Sequence, residues 1–260
     1  MATALTTEDE RLLSKVPEAT LVFWIVKICA TTVGETGGDA LSMTLNLGYA
    51  VSTFIFLGLF VAALAAQLSV KRYHALVYWL VVVATTTVGT TTSDYLDRTA
   101  GLGYIKSSIG LFCGVIAVLV AWRLTTGEIV ADRVTNRRNE AFYWLTILVS
   151  NTLGTALGDF TADDAGLGFE KGALVFAGLI ALVAVARYTT KIPRAILFWA
   201  AYILTRPLGA TLGDTLTKPH DHGGLALGRF ASTFTIAAVM VVILIATSRG
   251  SARRDAAAAG

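Results

Sequence analysis

Charged residues are scarce in this sequence, and so are cysteine, histidine and proline. Only 15% of the 260 residues are charged and 55% are hydrophobic, whereas soluble domains carry about 25% charged residues. The two cysteines, Cys29 and Cys113, both lie in apolar runs, which excludes a disulfide framework and a cysteine-based zinc site. The sequence shows no concentrated basic face of the kind that binds nucleic acid, so no nucleic-acid partner is predicted.

Sequence signatures of catalysis are missing as well. The chain has no Gly-rich phosphate loop behind a strand, no zincin helix and no serine nucleophile elbow. Its three histidines, His74, His220 and His222, fall in predicted connections between apolar stretches. We therefore predict that the protein is not an enzyme and carries no cofactor.

Long apolar stretches are the main feature that the sequence does contain. A helix needs roughly 20 apolar residues to cross the hydrocarbon core of a bilayer. Stretches of this length are predicted to span the membrane at residues 20–41, 47–69, 75–95, 103–124, 141–160, 168–189, 194–214 and 228–248. The predicted fold is therefore an all-α, polytopic membrane helical bundle of eight transmembrane helices, with the lipid bilayer as its solvent.

Basic residues are concentrated in every second connection, which predicts the orientation. These connections and the two ends of the chain carry Arg11, Lys15, Lys71, Arg72, Arg133, Arg137, Arg138, Arg187, Lys191, Arg194, Arg249, Arg253 and Arg254. Because excess Lys and Arg mark the cytoplasmic side, we expect both termini in the cytoplasm and the protein in the inner membrane. The predicted segments are a cytoplasmic N-terminal segment 1–19, repeats one and two at 20–124, a basic linker 125–140, repeats three and four at 141–248, and a cytoplasmic tail 249–260.

A sequence repeat runs through the whole chain. The pattern Trp-x9-Gly-x4-Asp occurs four times without a gap. Its members are Trp24, Gly34 and Asp39, then Trp79, Gly89 and Asp94, then Trp144, Gly154 and Asp159, then Trp199, Gly209 and Asp214. Each copy covers two predicted spans, so the bundle is predicted to consist of four tandem, parallel two-helix repeats.

The first helix of each repeat carries a polar stripe on an otherwise apolar cylinder. Residues four apart share a helix face. On that face lie Lys27, Thr31, Glu35 and Asp39, then Thr90 and Asp94, then Asn151, Thr155 and Asp159, then Arg206 and Asp214. We expect the four stripes to face one another, away from lipid.

Aspartate in the membrane has two interpretations here. An Asp at the helix centre costs about 2.5–3.5 kcal/mol, and intramembrane charges are functional by default. The functional interpretation is a pathway that binds an ion or small charged solute, lined by Asp39, Asp94, Asp159, Asp214, Glu35, Thr31, Thr90, Asn151 and Thr155. The structural interpretation is that each Asp caps a helix or pairs permanently with a cation. The predicted counter-charges are Lys27, Lys106, Lys171, Arg206 and Arg229.

The chemistry of the predicted ligands favours a divalent cation. Carboxylates and hydroxyls are hard oxygen ligands that suit Mg²⁺, Ca²⁺ or Mn²⁺, and no His or Cys lies near the stripe. Asp39, Asp94, Asp159, Asp214 and Glu35 would bind the metal, and their protonation would release it. Clustered Lys and Arg would instead suit a carboxylate or phosphate solute.

Two families resemble this chain. The hairpins VGETGGDALS, VGTTTSDYLD, LGTALGDFTAD and LGATLGDTLTK resemble a bacterial family of inner-membrane proteins labelled uncharacterised membrane-anchored proteins, over nearly all of residues 18–248. The segment Glu35–Asp39 is similar to the Glu-x-Gly-Asp motif of calcium and manganese exchangers, with one extra residue and a two-helix instead of a three-helix repeat. This second resemblance implies divalent cation transport. We therefore expect an exporter with Mn²⁺ as the leading substrate; the alternative is a non-transporting scaffold or sensor.

Overall fold

The computed structural model describes residues 14–258, apart from 71–72, 131–133 and 135, and without the side chains of His222 and of residues beyond 248. Most of the predicted N-terminal segment 1–19 therefore lies outside the described residues. The same holds for several basic side chains used to predict orientation, namely Arg11, Lys71, Arg72, Arg133, Arg249, Arg253 and Arg254. Everything below concerns the described part of the chain.

Eight long α-helices make up this part of the chain, two per sequence repeat, and it contains no strand. They are α1 (Leu21–Asp39), α2 (Gly48–Ser69), α3 (Ala75–Asp94), α4 (Gly103–Thr126), α5 (Arg137–Asp159), α6 (Gly168–Thr189), α7 (Arg194–Thr217) and α8 (Arg229–Ala258). The predicted all-α fold and its four two-helix repeats are confirmed. Helix α5 starts inside the predicted linker 125–140, because Asn136 caps it by accepting a hydrogen bond from the backbone of Asn139.

The eight helices form two concentric layers. Helices α1, α3, α5 and α7 form a closed ring in which each contacts the next and α7 returns to α1. The outer helices pack mainly on the inner helix of the following repeat: α2 on α3, α4 on α5, α6 on α7, and α8 on α1. Each repeat therefore packs its outer helix against the next repeat. The predicted halves 20–124 and 141–248 contact each other on two sides of the ring.

The two layers differ sharply in burial. Only 17–22% of the apolar stretch of each outer helix is buried, against 67% for α3 and 61% for α7. Large side chains such as Phe54, Phe112 and Phe234 point outward and are exposed. Six helices of the described chain, all except α1 and α5, are long and apolar enough to cross a membrane. Helix α1 is less apolar than these six, since its 19 residues include Lys27, Glu35 and Asp39.

The repeat glycines allow the inner helices to meet closely. A Cβ atom on any of these glycines would collide with a residue of the adjacent inner helix. In every case that residue lies seven positions after the repeat Trp of its own helix. The contacts are Gly34 with Thr86, Gly89 with Asn151, Gly154 with Arg206, and Gly209 with Thr31. Small residues at helix contacts are typical of membrane bundles, and here the same contact recurs around the full ring.

Aromatic side chains fill the ring at the end where the inner helices begin. Trp79, Trp144 and Trp199 are buried, and the hydroxyls of Tyr78 and Tyr143 lie 2.7 Å apart. The rings of neighbouring repeats meet edge to face or tilted, with centroids 5.5–6.4 Å apart around the cluster. Trp79, Trp144 and Trp199 are thus part of the packed core, and the half-buried Trp24 packs against it.

The repeat aspartates lie at the opposite end of the ring. Asp39, Asp94 and Asp159 end their α-helices, and each is followed by a five-residue π-helical turn. None of the three carboxylates caps that turn. The outer helices that follow have Leu47, Leu102 and Leu167 at their N-caps, with no side-chain hydrogen bond, so the capping interpretation is wrong for these three aspartates. Asp214 lies within α7, which continues to Thr217 without a π-helical turn.

Replacing Gly89 with alanine is expected to loosen the ring. The new Cβ would lie 2.9 Å from the backbone of Asn151, and overpacking of this kind costs about 1–3 kcal/mol. The matched control is Gly110→Ala on outer helix α4, where a Cβ meets nothing within 4 Å and helix propensity favours alanine by about 1 kcal/mol. Thermal unfolding in detergent should therefore lower the Tm of the first variant only; equal Tm values would contradict the close helix contact.

Candidate functional site

A buried arginine joins the four inner helices at mid-depth. The Nη2 atom of Arg206 lies 2.9 Å from the Glu35 carboxylate, 2.5 Å from the Thr90 hydroxyl and 2.6 Å from the Thr155 hydroxyl. Glu35, Thr90 and Thr155 occupy the same position of the first three repeats, eleven residues after the Trp. One guanidinium thus contacts one residue from each of the other three repeats.

A second polar layer lies one turn closer to the aromatic end. The Lys27 ammonium is fully buried, lies 3.5 Å from the Asn151 amide oxygen and stands 4.2 Å above the centre of the Tyr202 ring. Asn151 donates to the Thr85 hydroxyl at 2.9 Å. Thr31, also predicted to bind an ion, donates to backbone carbonyls, including that of Thr205 on α7 at 3.2 Å. These groups therefore bind one another and hold the helices together.

The four repeat aspartates form a third layer, and two cations divide it into halves. Arg98 contacts Asp94 at 3.5 Å and Asp159 at 3.3 Å. On the other side of the ring, Lys218 contacts Asp214 at 3.1 Å and Asp39 at 3.4 Å. All four carboxylates are at most 2% exposed, whereas the Arg98 side chain is 31% exposed and that of Lys218 is 13% exposed. The aspartates therefore lie just beneath the surface, covered by these cations.

The electrostatic balance at Lys218 favours its charged form. Burial lowers the pKa of this ammonium, but the carboxylates of Asp214 and Asp39 outweigh burial and raise its pKa well above the ordinary lysine value. Lys218 therefore acts as a fixed positive charge between two carboxylates at neutral pH.

Three carboxylates converge in the half that Lys218 covers. One oxygen each from Glu35, Asp39 and Asp214 lies within 4.8 Å of the other two, and all three residues are buried. Asp39 Oδ1 has no hydrogen-bond partner, and Asp214 Oδ1 has none either, although Lys218 approaches it at 3.1 Å. We call Glu35, Asp39 and Asp214 the carboxylate triad. Buried acceptors without partners are rare and call for an explanation.

The other half of the ring has no third carboxylate. Thr90 and Thr155 stand at the repeat position of Glu35, so Asp94 and Asp159 share only Arg98. The four sequence repeats are therefore chemically unequal, although their backbones close one ring.

The predicted counter-charges agree with the structure only in part. Lys27 and Arg206 are buried among the inner helices, and Arg229 lies 3.6 Å from Asp39. Lys106 and Lys171, in contrast, are exposed on outer helices α4 and α6 and make no ion pair with any residue that the structure describes, so their predicted role is wrong. Both lie three residues after the first residue of an outer helix, where the side chain is exposed.

Arg98 and Lys218 pair with the aspartates instead. Neither was predicted as a counter-charge, because both lie outside the predicted spans 75–95 and 194–214. The sequence does contain a pattern that predicts both ion pairs. Each cation lies four residues after a repeat aspartate, Asp94 or Asp214, which is the spacing of an ion pair within one helix. The corresponding positions of the other repeats hold Met43 and Asp163, so the cations alternate around the ring.

Comparison with known proteins identifies the repeat. A family model described as Repeat of Unknown Function (DUF347) matches four consecutive segments of the chain, at residues 22–73, 77–128, 142–192 and 197–251. These segments coincide with the four hairpins. No curated protein and no solved structure matches the chain.

Disrupting the Arg206–Glu35 pair is expected to destabilise the protein strongly. Arg206→Met leaves the Glu35 carboxylate buried without its cation, which costs about 3–5 kcal/mol. In the double variant Arg206→Met/Glu35→Met neither charge remains, so much of the lost free energy of unfolding should return. A double-mutant cycle in detergent measures this coupling; strictly additive effects would show that the pair contributes little.

Proposed function

We propose that this chain, which belongs to the family built from the Repeat of Unknown Function (DUF347), transports a divalent cation across the membrane. The observation that carries the proposal is the carboxylate triad, in which Asp39 Oδ1 and Asp214 Oδ1 are buried and accept no hydrogen bond. A cation bound between these oxygens would satisfy both of them and neutralise buried negative charge.

The spacing of the triad suits a hard cation. Ca²⁺ binds oxygen at about 2.3–2.6 Å, so two ligands on opposite sides of one ion are at most about 5 Å apart. The triad oxygens lie within 4.8 Å of one another. Carboxylates favour Mg²⁺, Ca²⁺ and Mn²⁺ over softer metals, and we take Mn²⁺ export as the working hypothesis.

Lys218 has a specific role in this proposal. Its ammonium bridges Asp39 and Asp214 and so occupies the place of the cation when no ion is bound. An entering ion would displace the ammonium toward solvent, where its side chain is already partly exposed. Arg206 would keep Glu35 charged and correctly positioned during this exchange.

The membrane placement belongs to the same proposal. All eight helices would cross the inner membrane, with α1 and α5 shielded from lipid by the outer layer. The side with the aromatic cluster would face the cytoplasm, because Lys15 precedes α1 at that end, and Arg137, Arg187 and Arg194 lie in the terminal turns of α5, α6 and α7 there. Both termini would then be cytoplasmic, and the triad would lie near the outer surface.

A non-transporting scaffold is the second candidate. Arg98 and Lys218 each join aspartates of two neighbouring repeats, as expected if the charges serve only to close the ring. In such a scaffold the four aspartates would be equivalent, and none of them would depend on a metal ion.

Asparagine substitutions separate these two functions. In proteoliposomes loaded with calcein, which Mn²⁺ quenches, Asp39→Asn and Asp214→Asn should each slow Mn²⁺ entry by about tenfold or more, because each removes a ligand charge. Asp94→Asn and Asp159→Asn are matched controls at the same repeat position, outside the triad, and should slow entry by less than about threefold. All four variants must first elute as folded protein in size-exclusion chromatography.

Two outcomes would contradict the transport proposal. One is that wild-type vesicles admit no more Mn²⁺, Ca²⁺ or Mg²⁺ than protein-free vesicles, and the other is that the two pairs of variants show equal flux. Either result favours the scaffold, in which the aspartates act only through ion pairs.

Removing the Lys218 ammonium should strengthen metal binding. Lys218→Met deletes the competing cation, leaves Asp214 without its cation and Asp39 with Arg229 alone, so its Tm without metal should fall. Its Tm should then rise more than that of wild type when Mn²⁺ is added, consistent with about tenfold tighter binding. Arg98→Met, at the equivalent position of repeat two, is the control and should show no larger Mn²⁺ response than wild type. A Lys218→Met protein that Mn²⁺ does not stabilise would argue against displacement.

A further inference from the structure

A groove on the outside of the bundle has the properties of a lipid-binding site. It lies between outer helix α2 and inner helix α5, with a volume of about 740 Å³, inside the range of about 300–1,000 Å³ that is typical of ligand pockets. Phe60, Leu64 and Leu68 form one wall, and Leu145 and Leu148 belong to the other. We call this feature the lateral groove. Its walls are apolar over most of their length.

Positive charge is placed at one end of the lateral groove. Lys15 and Arg137 line this end, next to Ser69 and Val70 at the end of α2. Lys15 lies 2.9 Å from the buried Glu140 carboxylate, so these two charges balance each other. Arg137 is exposed and makes no ion pair within the described part of the chain. Among the described residues, the positive charge of Arg137 therefore remains unbalanced at the mouth.

Trp144, whose indole N–H has no acceptor in the described part of the chain, lines the same groove. Trp144 is 2% exposed, and its Nε1 atom has no hydrogen-bond partner among the described residues. The equivalent Trp199 donates to the Val130 carbonyl at 3.1 Å. Buried indoles normally find an acceptor, so a bound molecule that placed an oxygen beside the Trp144 N–H would satisfy it.

We propose that the lateral groove binds one anionic phospholipid. Its phosphate would pair with Arg137, a glycerol ester oxygen would accept from Trp144, and an acyl chain would lie between α2 and α5. A phospholipid has the required order of groups: an anionic head, ester acceptors and an apolar tail. Basic pockets between transmembrane helices on the cytoplasmic side bind such head groups. The proposal depends on the membrane placement, not on the transport of a cation.

Native mass spectrometry of the purified full-length protein tests this site. With phosphatidylglycerol added, wild type should retain one lipid at lower concentration than it retains phosphatidylethanolamine. Arg137→Gln should weaken phosphatidylglycerol binding by about fivefold, the contribution of one basic residue facing an anionic membrane surface. Arg194→Gln is the matched control, because Arg194 also starts an inner helix, is exposed and does not line the groove.

Two further variants test the apolar part and the indole. Ala141→Trp fills the groove without changing its charge and should abolish retention of the lipid, while Trp144→Phe should weaken it. Equal retention of the two lipids, or a loss in Ala141→Trp without any loss in Arg137→Gln, would overturn recognition of an anionic head group. Because the lipid assay contains no metal ion, a negative result in it leaves the transport proposal unaffected. In the same way, an absence of Mn²⁺ flux leaves the lipid-binding proposal unaffected.

Discussion

The close approach of neighbouring inner helices at the four repeat glycines is the contact on which the rest of the structure depends. At each glycine the neighbouring helix places a larger residue where a Cβ would otherwise be. Because the contact recurs four times, the fourth repeat meets the first and the ring closes. Closure is what allows charges such as Arg206 and Glu35 to be buried between helices instead of lying on the outer surface of the bundle.

The closed ring also explains the unequal chemistry of the repeats. A strictly fourfold core would place four identical charges around one axis, where they would repel one another. Here repeat one supplies Glu35, repeat four supplies Arg206, and repeats two and three supply neutral hydroxyls that accept hydrogen bonds from the same guanidinium. The result is a core with one acidic half, in which three carboxylates converge, and one half with two carboxylates only.

Much of the fold could be predicted from the sequence because its signals are local. The Trp-x9-Gly-x4-Asp pattern fixes the repeat, and the i, i+4 stripe fixes the face that Thr90, Asp94 and Asp159 present to the core. The partner of each charged side chain depends on which helices are in contact. The spacing of residues along the chain does not reveal those contacts. Lys106 and Lys171 were therefore predicted as counter-charges although they are exposed, whereas Arg98 and Lys218, which pair with the aspartates, were assigned to connections.

The most direct test of the account is to locate a metal ion in the protein itself. Crystals grown with Mn²⁺ and measured at the manganese absorption edge should show one strong anomalous peak, about 2–2.6 Å from oxygens of Glu35, Asp39 and Asp214, with the Lys218 ammonium moved away. A triad still bridged by Lys218, with no peak or with peaks only at surface carboxylates, would contradict the account. The buried charges would then serve only to hold the ring together.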